Sequence, residues 1–121
     1  MTSRTHSWRV RLAAAAESDI ANIVRWAAEQ FGEPQARTYA ETLSSALEAL
    51  LEGPTTVGAR AREDIGRGLF TMHVARRGRK GRYFVVFRIG RDQPGEIIEV
   101  LRILHEVIDL ARHVRPEMKE Q

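Results

Sequence analysis

A single α+β domain of order β-α-α-β-β-β is the expectation for these 121 residues: an antiparallel sheet, a helical hairpin packed on one of its faces, and a short C-terminal helical segment. Three observations predict it. Two consecutive segments carry apolar residues at helical spacing and are joined by a short link. Three later segments are rich in β-branched and aromatic residues, and one short alternating segment precedes them all.

Trp8, Val10 and Leu12 alternate with Arg9 and Arg11, the period-two pattern of a half-buried strand. Small residues over 13–16 lead into a helix expected to start near Glu17 and Asp19, whose charge suits the positive helix end. Ile20, Ile23, Val24, Ala27 and Phe31 make one apolar stripe, and Gly32 stops the helix. Trp26 lies off that stripe, either flanking the core or in an exposed contact patch. Pro34 suits the first turn of a second helix, in which Ala36, Ala40, Leu43, Leu47 and Leu50 form a seam widened by Tyr39, Ala46 and Leu51. Gly53 and Pro54 end it, and the short link between the helices predicts an antiparallel hairpin.

Residues 54–68 show no period and read as a loop. Strands are expected over 69–75, 83–89 and 97–104; the last is apolar on both faces apart from Glu99 and Arg102, as suits a central strand. Arg102 in such a strand needs an anionic partner, with Glu99 or Asp109 as the local candidates, unless it faces a binding partner instead. Residues 76–82, with Gly78 and Gly81, read as a hairpin tip, and 92–95 as a turn.

With 43% hydrophobic and 29% charged residues, the chain belongs among folding domains rather than disordered ones, and its length fits one core. We expect the domain to span 8–114, with 1–7 and 115–121 as flexible tails. The absence of cysteine removes disulfides and thiolate metal sites and is consistent with the reducing cytoplasm. No apolar run approaches the length a bilayer requires, and Arg9 and Arg11 interrupt anything resembling a signal peptide, so neither a membrane span nor export is expected.

Net charge is only +3, but it is unevenly placed. Residues 60–91 hold ten basic side chains against Glu63 and Asp64, a balance of +8, whereas 13–53 balance to −5 and 92–121 to −3. Such a distribution suits an anionic partner, either nucleic acid or an acidic protein, although a merely solvated basic hairpin has the same composition.

The tail, running from Arg102 through His105, Asp109, Leu110, Arg112 and His113, resembles the closing motif of ParE toxins: a last strand ending hydrophobic-hydrophobic-His, then Asp-Leu-x-Arg-His. Upstream features agree in order and spacing: Asp19 before Ile20 in the first helix; Gln35, Ala36 and Tyr39 in the second; Gly66, Arg67, Gly68 and Leu69 entering a strand; and Phe84, Val85, Val86, Phe87 and Arg88 in the next. Over residues 8–114 the chain is identified as similar to the ParE/RelE family, on its ParE branch.

That resemblance implies the toxin of a bacterial type II toxin–antitoxin system, neutralised by a cognate antitoxin, acting in the cytoplasm by binding DNA gyrase. Growth arrest and plasmid stabilisation are the corresponding roles. RelE relatives instead cut mRNA on the ribosome, with lysines and arginines on the sheet and a C-terminal tyrosine. Here Thr71, His73 and Phe84 stand at the matching positions, and no tyrosine follows Tyr83. The nuclease set is therefore not assembled, and the expected action is not enzymatic. His73 and His105 keep a ribosome-dependent endonuclease as the alternative, since imidazole titrates near neutrality, and a non-toxic relative that only binds an antitoxin is the third reading.

The resemblance also implies that an acidic, amphipathic antitoxin segment folds onto the toxin. We assign its groove to Arg67, Phe70, Arg82, Phe87, Arg88 and Arg102, and target contact to Arg76, Arg77, Arg79 and Lys80. Within the C-terminal family motif of His105, Asp109, Leu110, Arg112 and His113, Asp109 and Arg112 are expected to cap or pair around the segment and dock it on the sheet. No cofactor is implied. His105 and Asp109 share a helical spacing, but two ligands alone make a poor metal site, so none is expected.

Overall fold

The computed structural model describes residues 8–56, 58–75, 82–90 and 96–105. Strand β1 (Arg9–Leu12) leads into helix α1 (Ala14–Phe31) and then α2 (Glu33–Ala49), which tightens into a 3₁₀ turn at Leu50–Glu52. Strands β2 (Ala59–Ala61), β3 (Phe70–His73), β4 (Tyr83–Gly90) and β5 (Ile97–His105) follow. They form one five-stranded sheet of order β1-β5-β4-β3-β2, with the helical hairpin on one face. The architecture is the expected α+β one. The C-terminal helical segment expected from the sequence falls outside the described residues.

Three details differ from expectation. The sheet is mixed, because β1 runs parallel to β5, Arg9 opposite Ile97 and Leu12 opposite Val100, while the other neighbours are antiparallel. A four-residue alternating strand encodes which side chains face the core but not which way its neighbour runs. Second, the segment read as a loop contains β2, whose three residues, Ala59, Arg60 and Ala61, are too few to show a period. β2 exists because β3 offers it an edge, Arg60 lying opposite Thr71. Third, α1 begins three residues before Glu17, since the alanines there are strong helix formers.

The inner face of the sheet and the two helices enclose the core. Ala16, Ile23, Leu43, Ala46 and Leu50 from the helical layer meet Met72, Val85, Phe87, Ile98, Val100 and Ile103 from the strands. Buried Ala16, Ala27, Ala36 and Ala46 keep the helical layer closely packed. The predicted seams hold with two exceptions. Phe31 and Leu51 remain 55% and 50% exposed: Phe31, the last residue of α1, packs its ring against Trp26 and Tyr39, and Leu51 sits in the 3₁₀ turn beyond α2.

Glycine is required where the helices end. Gly32 (φ 96°, ψ 170°) and Gly53 (φ 107°, ψ 176°) occupy a backbone region that side chains strongly disfavour. At Gly53 the indole of Trp8 also approaches so closely that an added Cβ would lie 2.8 Å from its Nε1.

On β5 the register slips between Val86 and Phe87 of its partner: Arg102 faces Val86 but Val100 faces Phe87, leaving Leu101 as the extra residue. The bulge keeps Val100 and Ile103 both on the core side and returns Arg102 to the outer face.

Candidate functional site

Alternation along the strands places the chemistry-bearing residues. With Val10, Leu12, Phe70, Met72, Val85 and Phe87 turned to the helices, their neighbours Arg9, Arg11, Thr71, His73, Phe84, Val86 and Arg88 occupy the outer face. The register joins these into rows across the sheet. Arg11, Glu99 and Arg88 lie side by side on β1, β5 and β4. The adjacent row is Arg60, Thr71, Val86 and Arg102, from β2 to β5.

The first row is an Arg–Glu–Arg ladder. Arg11 donates from Nη2 to Glu99 Oε2 at 2.5 Å, and Arg88 donates from Nε to Glu99 Oε1 at 2.7 Å. The two guanidinium groups, Arg88 first and then Arg11, hold the Glu99 carboxyl below the usual carboxylate range. Both arginines remain about half exposed (50% and 56%) over a carboxylate that is only 20% exposed. The row therefore presents positive charge to solvent.

At the end of the second row Arg102 turns back toward the helical layer. Its Nε and Nη2 donate to Asp19 Oδ2 and Oδ1 at 2.8 and 3.0 Å, and the Ile103 backbone N–H donates to Asp19 Oδ2 at 2.9 Å. The partner is thus neither Glu99 nor Asp109, the candidates suggested by sequence proximity. Asp19 reaches it because β1 pairs with β5 only as far as Val100, so the first turns of α1 lie beside the next part of β5. Across the sheet Arg62 forms a two-point pair with Asp64, at 3.0 and 2.9 Å, and its Nη1 lies 3.5 Å from Thr71 Oγ1. The Arg62 hydrogen bonds lower the Asp64 carboxyl below its ordinary value.

The sequence-assigned groove is only partly brought together. Arg88 and Arg102 share the outer face in adjacent rows, but Arg67 lies in the exposed turn between β2 and β3, and Arg82 stands at the opposite end of β4 from Arg88. Phe70 and Phe87 stack on each other with ring centroids 5.2 Å apart, and Phe87 is fully buried. Phe87 is therefore a core residue and not a groove residue; the strand is covered by helices on the face that the sequence alone left open. Arg76, Arg77, Arg79 and Lys80 lie outside the described residues, as do Asp109, Leu110, Arg112 and His113 of the C-terminal motif. His105 closes β5, with its ring edge-on to Tyr83 at 5.4 Å.

Arg9, Arg11 and Arg60, which the sequence-based assignment did not include, also lie on the outer face. A signal was present, since Arg9 and Arg11 alternate with core residues. What was missing was the knowledge that β1 docks beside β5.

The two imidazoles do not converge. His73 accepts the Ala75 backbone N–H at 3.0 Å through Nδ1 and packs against Phe84 on the outer face. His105, opposite Tyr83, belongs to the inner face.

The architecture defines the class: a two-layer α+β fold shared with toxins of toxin–antitoxin systems. The chain belongs to the ParE toxin family, whose model, described as the ParE toxin of type II toxin–antitoxin system, parDE, matches residues 10–110. Among solved structures it is similar to one titled chromosomal ParDE TA system from P. aeruginosa (TM-score 0.67, 19% identity, covering 84% of this chain and 98% of that one). It is also similar to the YoeB/ParE toxin from Agrobacterium tumefaciens (TM-score 0.52, 13% identity, covering 80% and 96%). At these identities the structural likeness speaks for the fold alone. A search of curated proteins found no significant match.

Proposed function

We propose that this ParE-family chain arrests growth by gripping its target, with DNA gyrase as that target, and is silenced by a cognate antitoxin whose acidic segment lies on the arginine-bearing side of the sheet. The observation that carries the reading is the outer face itself, where Arg11 and Arg88 flank Glu99 and Arg102 stands in the neighbouring row. Guanidinium groups held in fixed geometry are suited to bidentate pairing with carboxylates of an incoming chain. The separation of His73 and His105 onto opposite faces favours binding over an acid–base reaction.

Antitoxin contact is assigned to Arg67, Arg82, Arg88 and Arg102; Phe70, half-buried on β3, faces the helical layer and stacks on Phe87 instead. Replacing Arg82 and Arg88 together with glutamine is expected to weaken the antitoxin complex by at least tenfold and to flatten its salt dependence, because two screened attractions are removed. The decisive experiment adds purified chain to two assays, gyrase supercoiling and a ribosome programmed with message. Inhibited supercoiling with intact message supports the reading, and cleaved message with normal supercoiling replaces it with the endonuclease. Unimpaired growth on induction without antitoxin would leave only a binding protein.

A further inference from the structure

From the charge layout of the sheet we infer that its outer face is a phosphodiester-binding surface that takes the backbone of nucleic acid without reading sequence, and that Glu99 sets its strength. The inference rests on charge placement and is independent of gyrase as the target.

The fold gathers cations that are far apart in the chain. Arg9 and Arg11 come from β1, Arg60 from β2 and Arg88 from β4, and all four lie on the face opposite the helices, whereas Arg102 of β5 is turned to Asp19. Arg9 and Arg60 are exposed, and the side chains of Arg11 and Arg88 are about half exposed. Among the described strand residues Glu99 is the one carboxylate on that face, and it is shared between two arginines. The helical layer carries the opposite sign, −5 over residues 13–53. The molecule is therefore polarised across its thickness, and a polyanion meets it sheet first.

Geometry favours a polyanion over a single acidic side chain. Neighbouring strands lie about 4.8 Å apart, so five strands spread the arginines over roughly 20 Å. A duplex presents one charge per about 1.7 Å of its axis and can meet several of these side chains at once. Glu99 already occupies the place of an anion between Arg11 and Arg88. An incoming phosphate must share those donors with it, which holds the affinity down.

The test is fluorescence anisotropy of the purified chain with a labelled 20-base-pair duplex of arbitrary sequence, titrated between 50 and 200 mM KCl. Binding should weaken steeply with salt. The Arg11→Gln/Arg88→Gln variant should bind about tenfold more weakly, with the log–log salt slope reduced by about 2, the loss of two phosphate contacts. Glu99→Gln should move the other way, binding several-fold more tightly, with unchanged circular dichroism showing that it is folded. A duplex of RNA and a single DNA strand identify which nucleic acid the face prefers. The inference fails if the duplex does not bind at 50 mM KCl, if the double variant keeps both affinity and slope, or if folded Glu99→Gln binds no better. It also fails if polyglutamate of equal charge competes as well as the duplex, for the face is then merely cationic. Loss of gyrase inhibition with duplex binding intact would reject the proposed target and leave this surface standing.

Discussion

Asp19 is the residue with the most concentrated consequence, because one carboxylate accepts three hydrogen bonds from β5. Its side chain is 14% exposed and that of Arg102 is 36% exposed, so the ion pair itself is partly screened and the Ile103 N–H matters most. Asp19→Ala should lower stability in urea unfolding by about 2–3 kcal/mol, through a backbone donor left without its acceptor, while Arg102→Ala should cost about 1 kcal/mol. Equal losses from the two variants would contradict this ordering. Glu99 makes a pH prediction. Its folded pKa is depressed by Arg88 and Arg11, so its stabilisation is present above the unfolded value near 4.3 and disappears as pH falls through the lower, folded value. Wild-type stability should therefore decline below about pH 4.5 more steeply than that of Glu99→Gln, a difference that unfolding midpoints between pH 3 and 7 will reveal. Asp64, lowered by Arg62, adds to the wild-type slope in the same direction and is common to both proteins. None of the Asp19 contacts was legible in sequence, since 83 residues separate it from Arg102.

At the scale of elements, two helix ends separate backbone strain from steric fit. Gly32 and Gly53 have nearly the same backbone conformation, but an added Cβ would meet only Pro34 Cδ at 3.8 Å at the first and the Trp8 ring at 2.8 Å at the second. Gly32→Ala should cost about 1–3 kcal/mol from φ alone, and Gly53→Ala measurably more, because Trp8 must move as well. Thermal unfolding of the pair checks this; a smaller loss at Gly53 would mean that the indole yields freely. Both helix stops were legible in sequence as glycines after apolar stripes. The role of Trp8 was not, since it depends on β1 folding back beside the end of α2. The bulge at Leu101 was likewise hidden, as Val100, Leu101, Ile103 and Leu104 are all apolar and either register is compatible with that run.

For the whole molecule, the sheet order sets a gradient of stability. β4 and β5 are the longest strands and are paired on both sides, whereas β2 is a three-residue edge strand. Amide hydrogen exchange should be slowest in β4 and β5 and fastest, among the strands, in β2. Phe87, fully buried where β4 crosses beneath the helices, should cost about 3–5 kcal/mol as alanine. Loss of antitoxin binding by that variant would report unfolding and not a missing contact, a distinction that circular dichroism makes directly. The same layering separates charge, with the acidic hairpin on one side and the arginine rows on the other.

Periodicity, glycine placement and charge are local properties of a chain, and by themselves they determined the helical hairpin, the three main strands, the single core and the basic character of the middle segment. Pairing direction, the partner of Arg102 and the company kept by Glu99 depend on which elements become neighbours. Only the tertiary structure decided those, because β1, β5 and the start of α1 meet across more than 80 residues of intervening chain. The outer face follows from both. Alternation put the arginines on one side of each strand, and the docking of β1 along β5 turned separate charges into one surface.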